Sequence, residues 1–497
     1  MNIKILTRTL LLSVLTTFSS CLNDLDVTQP SQFTSASMWT EENDVASAVN
    51  GAFALMRDAF KDTNNFWGDL RANLWTTGKV NDATYARTGL NKLEVSWTGS
   101  NWADLYKTVN QANLILKHIE DLDFENEMTK NEYLAQAYFV RAFCYYHIVR
   151  IWGDAPLCLN PFESETQEDM YPSRIAASEL YAQVESDIES ALKYMPASVK
   201  KVYQATPAAI NMLRADYYLW KASRLGGGQD AYNKALASAN AVIAMDYNML
   251  DDFASVFSPE NENNKELIFT YPFNVGENVT AGSSPNYYGF FLAQTEHTQM
   301  LQDNGYSLDY VPVGTHAQYS IPNDEYITFL LKDPQDQRGA ASVRSYDDPF
   351  LNNQLVLKVV VLKFAGTWKN NTRSFDSDMP VYRLPEAYIF KAEALNGLGD
   401  VDGAMAALNT IEKRARGVDN YYSGLDKNGV TLAIIDEVKM EFVAEGKIWW
   451  TYLRNNKEFE LISSLVGREN ETNVTLWPVN QSCLNTNQNI TQTVGYK

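Results

Sequence analysis

The residues of this 497-residue chain whose types could do chemistry are flat aromatic rings set among short polar side chains. Residues 62–100 offer Trp67, Asn73, Trp75, Asp82 and Tyr85, with Arg71 among them; Tyr287 and Tyr288 form a second group, and Trp368 a third. Such rings present apolar faces to a ligand, and the Asn, Asp and Arg beside them supply hydrogen bonds to its polar groups. That is chemistry of recognition. Hydrolysis would need two carboxylates facing each other across one cleft; among 61 acidic residues pairs are inevitable, and no short acid motif stands out. Cys144, Cys158 and Cys483 are odd in number and lack close ligand spacing, so neither a metal site nor a disulfide framework is expected, and no cofactor.

Loops that bind need a frame. Apolar residues at helical spacing run through 44–60 (Val45, Val49, Phe53, Met56, Phe60), 102–119, 175–194, 208–225, 230–245, 386–397, 401–416 and 432–453. The most apolar helical run is at 131–157, with rows on both sides, so it must be covered on more than one side. Within it Arg141 reads as held by a carboxylate and His147 as lying at the rim of the core. Trp449 and Trp450 stand at core phase. Ala231 and Ala235 follow Leu225-Gly226, and Ala404 and Ala407 follow Leu398-Gly399. Small residues just past a tight turn let two antiparallel helices pack closely, a tetratricopeptide-like spacing. Between 247 and 380 helical periodicity gives way to Asn, Gly, Tyr and short β-rich runs. The fold class is therefore all-α dominated, with tetratricopeptide-like helix pairs, a large irregular loop-rich lobe and minor β. The expected divisions are a helical part at 40–246 with a long loop at 62–100, an irregular ligand-binding lobe at 247–380, and a helical part with a coil tail at 381–497.

A formal net charge of -20 disfavours nucleic acid as a partner, because phosphate binding needs clustered Lys and Arg. Lys4 and Arg8, an apolar run at 10–18 and Ser19-Ser20 before Cys21 form an export signal. Residues 1–20 are expected to be removed and 21–39 to act as a tether. Small residues directly before Cys21 resemble a bacterial lipobox, which implies acylation of that cysteine and membrane attachment through lipid alone. Asp24 and Asp26 resemble acidic signals that send lipoproteins to the cell surface.

Several stretches together resemble the RagB/SusD outer-membrane nutrient-binding lipoproteins of the Bacteroidetes. They are Cys21 in its lipobox-like setting, YKTVNQAN at 106–113, AQAYFVRAFCYYHIVRIWGDAPL at 135–157, YRLPEAYIFKAEALNGLGDVDGA at 382–404, EFVAEGKIWW at 441–450, and the closing LWPV and GYK. The resemblance spans nearly the whole chain. It implies a surface protein that captures oligosaccharides without turnover and delivers them to a SusC-like TonB-dependent transporter. Some members of the family take peptides; a surface glycoside hydrolase and a protein-binding scaffold are the alternatives. For a glycan the rings would meet the axial hydrogens of pyranose units, making Trp67, Trp75, Tyr85, Tyr287, Tyr288 and Trp368 the platforms, with Asn73 and Asp82 binding hydroxyls. Trp75→Ala is then expected to leave stability nearly intact.

Overall fold

The computed structural model describes residues 38–78, 83–164, 166–274, 293–294, 298–303, 305, 313–314, 318–345, 350–351, 354–355, 358–370 and 372–496. Helices dominate. Those that frame the molecule are, in order, α1 (Glu42–Lys61), α2 (Ala103–His118), α3 (Glu127–Trp152), α4 (Ala177–Tyr194), α5 (Pro207–Arg224), α6 (Gly228–Ile243), α7 (Leu384–Leu398), α8 (Val401–Arg416), α9 (Lys427–Glu441) and α10 (Ile448–Arg454). Consecutive helices pack against one another as a layered array, α1 on α2, α2 on α3, α3 on α4, α5 on α6 and α7 on α8, with α6 joined to α7 across the intervening lobe. No helix among the described residues is long and apolar enough to cross a membrane.

The local chemistry explains the boundaries. The side chain of Asn126 accepts the Met128 N–H at the start of α3, and Gly153 ends it at φ +71. Thr206 accepts the Ala209 N–H ahead of Pro207, opening α5 with proline in its first turn. Between α7 and α8, Gly399 adopts φ +90 and Asp400 caps the next helix through the Gly403 N–H; Ala404 and Ala407 are buried just beyond. In the α5–α6 pair, Ala231, Ala235 and Ala239 are buried likewise.

α3 is buried from Leu134 to Trp152, Tyr138 being partly exposed, and is covered by α1, α2 and α4. Arg141 is held as its setting required: its guanidinium donates to both oxygens of Asp187, at 2.8 and 2.7 Å, and to Asn113 Oδ1 at 2.9 Å. His147 lies deeper than the rim position expected of it. It is 7% exposed, its Nδ1 lies 2.9 Å from the Phe143 carbonyl, and burial, followed by the charge of Arg150, holds its pKa well below the usual imidazole range. Cys144, Cys158 and Cys483 are free, buried thiols.

The expected helix over 432–453 is in fact two. α9 stops at Glu441, Ala444 turns to φ +61 and Gly446 to φ +76, and α10 begins at Ile448. The break is made from outside the segment: the Asp69 carboxylate accepts the Gly446 N–H at 2.9 Å and the Ile448 N–H at 3.3 Å, capping α10. Gly68 lies so close to the Gly446 carbonyl that a Cβ there would meet its oxygen at 2.0 Å.

Strands come in short pairs. β1 (Trp75–Thr77) pairs antiparallel with β3 (Ser320–Pro322), β4 (Thr367–Lys369) with β5 (Thr372–Ser374), and β2 (Leu267–Tyr271) with β6 (Met379–Arg383). The first pair ties the 62–100 segment to the lobe, in the register Trp75↔Pro322 and Thr77↔Ser320.

Candidate functional site

The described part of 62–100 is a packed excursion built from short helices and β1, clamped to the carboxyl-terminal part of the chain by two buried polar side chains. Asp69 caps α10. Arg71, 1% exposed, donates to the carbonyls of Thr475 and Val474 at 2.6 and 2.7 Å and to Asn91 Oδ1 at 2.8 Å, and its guanidinium lies 4.1 Å from the centre of a Trp449 ring. Burial lowers its pKa to about 10, so it stays charged at neutral pH.

This packing corrects part of the sequence-based assignment. Trp67 is 2% exposed, with its indole N–H donated to the Gly99 carbonyl at 2.8 Å and its ring meeting Phe60 and Trp152 edge to face. It borders a recess of about 230 Å³ but, so deeply buried, has no ring face open to a ligand. Trp75 is 4% exposed and meets the Tyr326 ring edge to face at 5.9 Å. Both are core residues. Asn73 is a turn residue at φ +57, and its amide donates to Ser463 Oγ at 2.6 Å while Asn323 donates to its carbonyl. Trp368 is half-buried on the separate β4–β5 hairpin, opposite Arg373. Asp82, Tyr287, Tyr288 and the lipidation candidate Cys21 lie outside the described residues.

Tyr85, partly exposed like Trp368, is the candidate the fold joins to a second partly exposed ring. The helix Ala83–Gly89 carries it, half-buried, into a stack on Tyr319 with ring centres 5.3 Å apart and planes 17° from parallel; Phe66 packs at 5.0 Å. The β1–β3 pairing brings Tyr319 here, together with a hydrogen bond from the Gly78 N–H to the Tyr319 carbonyl at 3.0 Å. Two residues on, and so on another side of the same helix, the Arg87 guanidinium lies 5.7 Å from the centre of the half-buried Trp97 ring and forms an ion pair with Glu94. Thr76 and Ser96 are exposed nearby in sequence. Stacked, partly exposed rings on a segment fixed by strand pairing can hold the apolar face of a polyhydroxylated ligand without performing a reaction on it. Sequence reasoning did not single out Tyr319, Trp97 or Arg87 as candidates. Tyr319 joins Tyr85 only through strand pairing across more than 230 positions, and no local signal carries that.

The clamp also makes a testable statement about pH. Burial raises the Asp69 carboxyl from 3.8 to about 7, against the pull of the Gly446 and Ile448 N–H groups. A carboxyl with a higher pKa folded than unfolded contributes stability that is present below its unfolded value and lost as pH rises towards the folded one. Between about pH 4 and about pH 7, thermal melts of Asp69→Asn should therefore fall less steeply with pH than those of the parent. Identical slopes would contradict the assignment.

Two family models match the chain. One, described as starch-binding associating with outer membrane, covers residues 24–219, and the other, the SusD family, covers 335–496. The chain is 26% identical to SusD-like protein P25 of Formosa agariphila, across 82% of this chain and 81% of that one. It is 24% identical to the starch-binding protein SusD of Bacteroides thetaiotaomicron, across 81% and 80%. Among solved structures it is similar to NanU of B. fragilis, with a TM-score of 0.79 and 25% identity over 94% of this chain and 99% of that one. A SusD superfamily protein of Bacteroides fragilis gives 0.78 and 26%, over 92% and 100%. With both models in chain order, and the helix-dominated fold shared with solved members, the chain belongs to the SusD/RagB family.

Proposed function

We propose that this protein binds oligosaccharides at the cell surface, without turnover, and delivers them to a SusC-like TonB-dependent transporter in the outer membrane. The observation that carries the reading is the Tyr85–Tyr319 ledge, two stacked, partly exposed rings beside a segment clamped by Asp69 and Arg71. Family membership supports it, as do the starch-binding description of one matched model and the likeness to a starch-binding relative. In this reading 1–20 is the leader, Cys21 the acylated residue and 21–39 the tether, and the lobe at 247–380 contributes Tyr319 to the ligand site.

Isothermal titration of the purified protein against a panel of neutral oligosaccharides tests the reading, with a reducing-sugar assay on the same mixtures. Saturable binding of at least one glycan with no sugar release is expected. Release of reducing ends would make it a hydrolase, and saturation by peptides alone would replace the ligand class.

A further inference from the structure

None of the ledge residues borders a second cleft, of about 500 Å³, that opens beside α1. Its size lies within the usual range for small-ligand sites. Asn50 and Arg57 of α1 form one wall, Tyr203 and Gln204 another, and Glu262 and Asp378 close it. The walls are tied to one another. The Gln204 amide donates to Asn50 Oδ1 at 2.8 Å, the Thr270 N–H to the Val202 carbonyl at 2.9 Å, and Arg57 to the Pro272 carbonyl at 2.9 Å. The Phe273 N–H and the Thr270 hydroxyl donate to Asp378 at 3.2 and 3.4 Å. Such a cleft is preformed.

Its chemistry is unbalanced. Among the described residues no cation acts on Glu262 or Asp378, and the buried carboxyl of Asp376 adds to the negative charge beside both. Burial, then the charge of Glu262, pushes the Asp378 carboxyl up to about 7. The cation in the wall, Arg57, is engaged by the Pro272 carbonyl and lies 5.4 Å from the Phe273 ring centre. Tyr271, 2% exposed, lines the cleft and also a small inner cavity, and its phenol oxygen has no hydrogen-bond partner among the described residues. Tyr203 is 45% exposed and can cover an apolar ligand face.

We infer that this cleft is a second ligand site, separate from the ledge, that takes a carbohydrate unit bearing a protonated amino group. The ammonium answers the unpaired carboxylates, the side-chain amides take the hydroxyls, and Tyr203 takes the apolar face of the ring. From the function proposed above the inference borrows only the ligand class.

Titration of the purified protein near neutral pH with D-glucosamine, D-glucose and N-acetyl-D-glucosamine tests it. Glucosamine should bind about tenfold or more tightly than either neutral sugar, the equivalent of one pK unit of charge relief. Asp378→Asn should remove that preference, and so should Glu262→Gln, an exposed position that keeps the test valid if the first variant fails to fold. Tyr85→Ala should leave glucosamine binding unchanged. Absent glucosamine binding, equal affinity for glucose, or a loss in Tyr85→Ala with none in the carboxylate variants would overturn the cleft assignment. Glucosamine binding that persists where no oligosaccharide binds would instead count against the ledge alone.

Discussion

Arg383→Met is expected to lower stability by about 3–5 kcal/mol, the cost of removing one partner from a buried ion pair. Arg383 is 1% exposed at the end of β6 and serves three carboxylates: Glu266 at 2.8 Å, Glu441 at 2.5 Å and Glu445 at 2.8 and 2.9 Å. It also donates to the Glu441 carbonyl at 2.6 Å and lies 4.3 Å from the centre of the Phe442 ring. Around it, Arg338 pairs with Asp336, Glu412, Glu437 and Glu441, Arg414 with Glu266 and Glu441, and Lys363 with Glu445. Burial alone would raise the Glu441 carboxyl, but Arg414, Arg383 and Arg338 together hold it well below the usual carboxylate range. Methionine fills much of the arginine volume, so the loss is electrostatic: three buried carboxylates are left short of positive charge. Urea denaturation measures it. A change under about 1 kcal/mol, the scale of an exposed pair, would mean that water reaches the cluster.

The second large effect reverses the expectation drawn from sequence. Trp75→Ala should cost about 3–5 kcal/mol, as for other aromatic truncations in cores. The ring is 4% exposed, packs on Tyr326, and stands on the strand whose pairing with β3 positions Tyr319. The same variant should weaken ligand binding only as far as the ledge loosens. Near-native stability with complete loss of binding would restore Trp75 to the ligand site.

Helical periodicity was sufficient to place the array, because the helices bury stripes that repeat every three or four residues, and α3, apolar on several sides, is covered on several sides. The small residues after Gly226 and Gly399 marked two close helix pairs. In the excursion, a tryptophan within a polar, Gly- and Asn-containing segment carries no local sign of burial. Trp67 and Trp75 are buried by groups far along the chain, and Arg71 by carbonyls more than 400 positions away. The interruption before α10 was hidden for the same reason: the apolar pattern of 432–453 continues through it, while the Asp69 cap comes from the opposite end of the sequence.

Trp67 and Trp75 are thus assigned to the frame, and the Tyr85–Tyr319 ledge to the ligand platform. Isothermal titration of an oligosaccharide that saturates the parent, repeated on Tyr85→Ala, tests it most directly. Removing one stacking ring should weaken binding roughly tenfold or more, with a far smaller shift in denaturation midpoint than Trp75→Ala produces. Unchanged affinity in Tyr85→Ala and in the Tyr85→Ala, Tyr319→Ala double variant would contradict it.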